Sequence, residues 1–144
     1  MAIIRTATAA VTLTDVIDGQ SAVSAFLTNA NHTFISSPTG QVGDAARNDF
    51  QTAVQAYVGG KGLQYSSNAS AGDGEFVIID IIQATGFTFV EESTGTITCD
   101  AIVSPDAAEY KRSGTVIIKV AYNTGGRTGI IDLELSVTIV KDGA

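Results

Sequence analysis

Proton-transfer chemistry in this chain would have to run through a single imidazole. His32, in Asn31-His32-Thr33, is its only histidine, and a histidine base needs an acidic neighbour to hold its tautomer and stabilise its charge. No acidic residue stands at motif spacing from it, so its chemistry points to a structural or surface role. One histidine and one cysteine, Cys99, cannot make a zinc ligand set. The Asp-x-Asp-x-Asp-Gly run of a calcium loop is also missing. Gly59-Gly60-Lys61-Gly62 has the glycines and lysine of a phosphate loop. It lacks the Gly-x-x-x-x-Gly-Lys-Ser/Thr order and the following helix, and reads as a hairpin turn. Asp18, Asp73, Glu91, Glu92 and Asp142 offer carboxylate pairs of the glycosidase kind, but any chain with 15 acidic residues does. These spacings predict no catalytic residue, no metal ligand and no cofactor.

Sugar binding asks for less: an exposed aromatic plane with amide or charged groups beside it. There is no Trp, and most of the 6 Phe sit in apolar register. The loop-edge candidates for glycan or receptor contact are Tyr65 near Asn68, and Tyr110 beside Lys111 and Arg112. The competing reading makes each tyrosine a packing residue at the rim of the core. Asn31-His32-Thr33 and Asn68-Ala69-Ser70 match the glycosylation pattern, a chance match where no secretory signal precedes them.

Charge removes whole classes of partner. The net charge is -7 and the 8 Lys and Arg are scattered, with only Lys111 and Arg112 adjacent. Nucleic acid is therefore not an expected partner, since phosphate binding needs clustered cations. No apolar run approaches the roughly 18 residues of a membrane helix, so no membrane insertion is expected. Met1-Ala2-Ile3-Ile4-Arg5 has no basic and apolar signal regions, which predicts a protein made in the cytoplasm. Cys99 lies in the apolar phase of Ile97-Thr98-Cys99-Asp100-Ala101, as an inert core thiol would.

The elements that must position these residues are strands. From Ile131 to Ile139 every odd residue is apolar and every even one is Asp, Glu, Ser or Thr, the period of a strand with one buried face. Similar stretches predict strands over Thr8–Ile17, Ala22–Leu27, His32–Ser36, Phe50–Val58, Glu75–Ile82, Phe87–Glu91, Thr96–Val103, Thr115–Tyr122 and Thr128–Val140. Turn signals separate them at Ser37-Pro38-Thr39-Gly40, Gly59 to Gly62, Asn68 to Gly74 and Asn123 to Gly126. Between Ala45 and Ala56 a helix capped by Asp44 competes with the alternation of Phe50, Thr52, Val54, Ala56 and Val58. The glycine turn that follows favours the strand. Ser104 to Tyr110 reads as a crossover with one helical turn.

Together these predict an all-β fold: an antiparallel two-sheet sandwich of about eight or nine strands, with a barrel as alternative. A chain of 144 residues is the size of one domain, divided as a lead-in and first strand over 1–18 and a module over 19–144. The inward set is Val11, Leu13, Val23, Phe26, Val54, Val58, Phe76, Ile78, Ile97, Cys99, Val116, Ile118, Val120, Leu133, Leu135, Val137 and Ile139. Glu75 to Ile82 is apolar on both faces apart from Asp80, which predicts a strand covered on both sides or a subunit contact.

The two borders are alike. Val11 to Gly19 begins by alternating and ends in Asp18-Gly19, and the last strand ends in Lys141-Asp142-Gly143. Further pieces follow in order: Ser21-Ala22, Leu27-Thr28-Asn29, His32-Thr33, a turn with Gly40, Ala53 to Gly60 before Leu63, and Gly74 to Ile78. The ordered set resembles β-sandwich modules in fibre and tail-tip proteins of tailed bacteriophages. That resemblance implies an immunoglobulin-like or carbohydrate-binding-module-like fold in the virion tail, assembled in the bacterial cytoplasm. It implies other virion tail proteins and further copies of the chain as partners, with a trimer favoured. Its expected work is extending the fibre or touching a host-surface receptor or glycan, and it carries over no fixed catalytic or binding residues. A free carbohydrate-binding or adhesin domain of bacterial origin is the alternative, and an enzyme comes third.

Overall fold

The computed structural model describes the backbone of residues 12–14 and the whole of residues 22–92 and 94–141. Among these, eleven strands and one short helix follow the alternation closely. They are β1 (Thr12–Thr14), β2 (Val23–Leu27), β3 (Asn31–Ser36), α1 (Asp44–Asn48), β4 (Gln51–Val58), β5 (Lys61–Gly62), β6 (Gln64–Tyr65), β7 (Glu75–Ile82), β8 (Phe87–Glu91), β9 (Thr96–Ile102), β10 (Ser113–Thr124) and β11 (Arg127–Lys141). The fold is all-β. Both readings of the Ala45–Ala56 stretch hold in part: a five-residue helix begins at Asp44, and the alternating strand takes over at Gln51. Gly43, with extended backbone, is the helix N-cap, and Asp44 instead pairs with Arg47 at 2.7 Å.

The strands form two sheets. One runs β1-β2-β4-β9-β8 with β5 on β4, and the other runs β3-β11-β10-β7-β6. One apolar core joins them, with Val23, Val54 and Ile97 from the first and Phe34, Val116, Ile118, Leu133 and Leu135 from the second. Leu135 is wholly buried, as its alternating register requires. The β10–β11 hairpin closes on Gly125 and Gly126, both with positive φ (58° and 83°). That is the geometry of a two-residue turn whose twist matches the strands. No buried side-chain nitrogen or oxygen among the described residues lacks a hydrogen-bond partner.

The chain changes sheets between β2 and β3 without reversing. Thr28 N–H still donates to Ala53 O on β4 at 2.9 Å, and Asn29 N–H donates to Thr52 Oγ1 at 2.9 Å. One residue later, Ala30 O accepts from Ser136 N–H of β11 at 2.9 Å. From there β3 runs parallel to β11, Asn31 opposite Ser136 through Ser36 opposite Lys141. The ladders are therefore not all antiparallel as expected, since β6 also pairs parallel to β7. Side-chain period reports burial and says nothing about the direction of a neighbour.

Three further expectations are corrected. Phe26 does not point into the core: Val23, Ala25 and Leu27 take the inward phase of β2. Phe26 stands on the opposite face, stacked on Tyr57 at 5.9 Å and 7°. Ser104 to Tyr110 carries no helical turn but two consecutive tight turns, closed by Ala107 N–H to Ser104 O and Tyr110 N–H to Ala107 O. Val58 is only partly buried against the core. Val11 and the Leu13 side chain, both expected inward, lie outside the described residues, as does most of the 1–18 lead-in.

Candidate functional site

His32 lies on the inner side of the edge strand β3, against the sheets' aromatic core. Its ring meets Phe34 at 4.6 Å and Phe50 at 4.9 Å, both edge-on. Asn29 Nδ2 lies 3.4 Å from its Nδ1. Desolvation pushes the imidazole pKa below its ordinary 6.5, and the charge of Asp49 only partly offsets this. Cys99 faces the same core, and burial raises its thiol to about 11, far from the thiolate form that reacts. Among the described residues no three His, Cys, Asp or Glu side chains converge as a metal site.

The five residues expected at a glycan or receptor surface fall into two groups. Tyr65 is half-buried, edge-on to Phe76 at 5.9 Å, with its hydroxyl donating to Glu91 at the end of β8. That hydrogen bond, with burial, pushes the phenol up to about 12. Asn68 is exposed in the following loop, whose chain is held by Ser66 Oγ, the acceptor for Asn68 N–H. Tyr110 is half-buried and donates to Gly40 O at 2.9 Å. Lys111 and Arg112 are exposed beside it. Lys111 lines a shallow depression of about 400 Å³ with Gln83, Ala84 and Thr85.

These groups sit at opposite ends of β8. Glu91 closes the strand, whereas Gly86 just before it lies against Glu109 and Lys111. At strand rise that separates them by roughly 15 Å. Each tyrosine is half-buried with its hydroxyl engaged within the chain.

The aromatic pair that does stand on a sheet face is Phe26 and Tyr57, outside the expected set. Tyr57 donates to Gln55 Oε1 at 3.2 Å, which puts an amide beside the stacked rings. The signal was present in the sequence, because Phe26 occupies the polar phase of Val23-Ser24-Ala25-Phe26-Leu27.

A second surface is the outer face of the five-stranded sheet, of which the sequence pointed only to the β7 part. Here Val77, Ala121 and Ile130 align across β7, β10 and β11, and Asp80, Lys119 and Asp132 form a charged row along the same strands. Lys119 Nζ is 3.1 Å from Asp132 Oδ1. A β-bulge opposite Lys119 and Val120 puts Ile79 and Asp80 both outside. Val77 is buried, and Ala69 and Ala71 line a groove of about 380 Å³ with Val77, Ile79 and Ile130. The loop that carries them is tied down by Asn123 Nδ2 to Ala71 O and by Gly125 N–H to Asp73 Oδ1. The two-sided apolar character of β7 is thus met in part by this loop, while Ile79 and Ile82 stay exposed.

Comparison of the chain with protein-family models, with curated proteins and with solved structures finds no match.

Proposed function

We propose that the chain is an immunoglobulin-like β-sandwich module, a structural and adhesive unit of a tailed-bacteriophage fibre or tail tip. In this role it spaces and stiffens the fibre, assembles with other tail proteins and with further copies of itself, and makes weak contacts to a host-surface receptor or glycan. The strand order supports the fold: β2-β4-β9-β8 against β11-β10-β7 corresponds to strands A-B-E-D against G-F-C of immunoglobulin constant-type sandwiches. The strand in the A position divides between the sheets as β2 and β3, with β1 added outside β2.

One observation carries the function. β1 of the lead-in pairs antiparallel beside β2. Because β2 leads straight into β3 and β3 is parallel to β11, β2, the strand that opens the 19–144 module, starts at the end opposite the one where β11 finishes. Val23 follows Asp18-Gly19 by a few residues, and Lys141 directly precedes Asp142-Gly143. Units that begin at one pole and finish at the other can be strung end to end, with their sides free for lateral contacts. Several copies on one fibre multiply a contact that is weak in a single copy. Immunogold labelling of tailed particles with an antibody to this chain tests the role. Gold on the fibre or tip is expected, and particles free of the chain would refute it.

The stacked Phe26–Tyr57 pair with the Gln55 amide favours one second reading, a free carbohydrate-binding or adhesin domain. A monomer in light scattering that binds an oligosaccharide on a glycan array, and loses it on Tyr57→Ala, selects that reading over the first.

A further inference from the structure

The large apolar side chains that remain exposed among the described residues are Ile35, Ile79, Ile82, Ile130 and Val140. All of them stand on one surface, the outer face of the five-stranded sheet. Ile130 pairs across to Ala121, Ile82 to Ile117, and Val140 to Ile35, each in the phase opposite the core residues. Scattered exposed apolar residues need no explanation, but their confinement to one face marks a contact surface.

We propose that this face docks against the same face of a second copy of the chain. The inference rests on the self-assembly part of the proposed function but departs from the three-fold form the resemblance implies. Two arguments select a second copy. The first is area: β10 and β11 are in register over 12 residue pairs, flanked by β7 and β3. β7 flanks only Ile117–Asn123 and β3 only Ser136–Lys141, so strand spacing and rise make that face about 600 Å², the low end of what one partner contributes to a standard interface.

The second is charge. Across β7, β10 and β11 the row Asp80, Lys119, Asp132 alternates minus, plus, minus. A two-fold axis along the strands, between β10 and β11, brings Lys119 of each copy over Asp132 of the other and Ile130 over Ala121. The Lys119–Asp132 and Ile130–Ala121 rows are then their own complement, as an isologous contact requires, with a shared four-charge cluster at the first and Glu134 of each copy over Ile117 of the other beside it.

Light scattering over a concentration series tests the contact. The wild-type chain is expected to dimerise. Ile130→Asp should weaken the dimer by at least about tenfold, with its circular dichroism unchanged and with the same unfolding midpoint as the wild type at concentrations where both chains are monomeric. Lys119→Asp and Asp132→Lys should each be monomeric alone, and an equimolar mixture of the two should restore the dimer, because only the mixed pair meets with opposite charges. A wild-type chain that stays monomeric, a trimer, an oligomer indifferent to Ile130→Asp, or a mixture that stays monomeric overturns the docking. None of these decides the virion role, which the particle labelling tests separately. Capture of a cationic or apolar peptide in the groove by a monomeric chain also overturns it.

Discussion

His32 illustrates how a residue that suggests catalysis becomes a feature of stability. Its ring is wedged edge-on between Phe34 and Phe50, and burial holds its folded-state pKa below the ordinary 6.5. Between the two values the unfolded chain binds more protons than the folded one, so stability falls as the pH falls. The contribution is complete above about pH 6.5 and is lost progressively below it. Thermal unfolding at pH 7.5 and at pH 5.5 should therefore show a larger loss for the wild type than for His32→Gln. Equal losses in the two would remove His32 as the cause. The sequence told that this histidine lacked a base's partner, because partner spacing is a local property. It could not tell that two phenylalanines flank the ring, because Phe50, just before β4, is distant from it in sequence. Phe26 was placed in the inward set with Val23, yet its phase in β2 is the outward one, and Tyr57 on the neighbouring strand stacks on it.

At the scale of elements, strands long enough to show a period were legible and the shortest were not. β7 and β8 begin and end where their apolar runs and flanking turns place them. β5 and β6, of two residues each, carry no period at all. Nor did any pattern announce how the edge strand β8 is closed. Gln83 Nε2 donates to Phe89 O at 2.8 Å, and Phe89 N–H donates to Gln83 Oε1 at 2.8 Å. One side-chain amide thus occupies backbone groups that a further strand would otherwise seek, beside the bulge at Thr88 and Phe89. Gln83→Leu removes both bonds and should cost about 1–2 kcal/mol. It should also add concentration-dependent association through the opened edge. A variant with unchanged midpoint and unchanged association would show that the amide closes nothing. Gly129 is a second such device. A Cβ there would lie 2.6 Å from Tyr122 Oη, so the bare backbone leaves room for the tyrosine paired with it.

For the whole molecule, the all-β class and most of the core were readable from period alone, since Val116, Ile118, Leu133 and Leu135 each hold the inward phase. Sheet order and strand direction were not, because they depend on contacts between residues far apart in sequence, such as Asn31 with Ser136. On the proposed function, that long-range pairing is what would let the unit be strung, by setting β3, the continuation of β2, parallel to β11. The candidate sugar-contact residues do not form one cluster, since Tyr65 and Tyr110 are held at opposite ends of β8. The measurement that tests the strung-module account most directly is small-angle X-ray scattering from two copies joined in tandem, with Asp142-Gly143 leading into the next copy. Recorded in dilute solution on the Ile130→Asp background, so that lateral docking does not intervene, the tandem should have a maximum dimension close to twice that of one copy. A tandem scarcely longer than the single copy, with the two units folded back side by side, would contradict it.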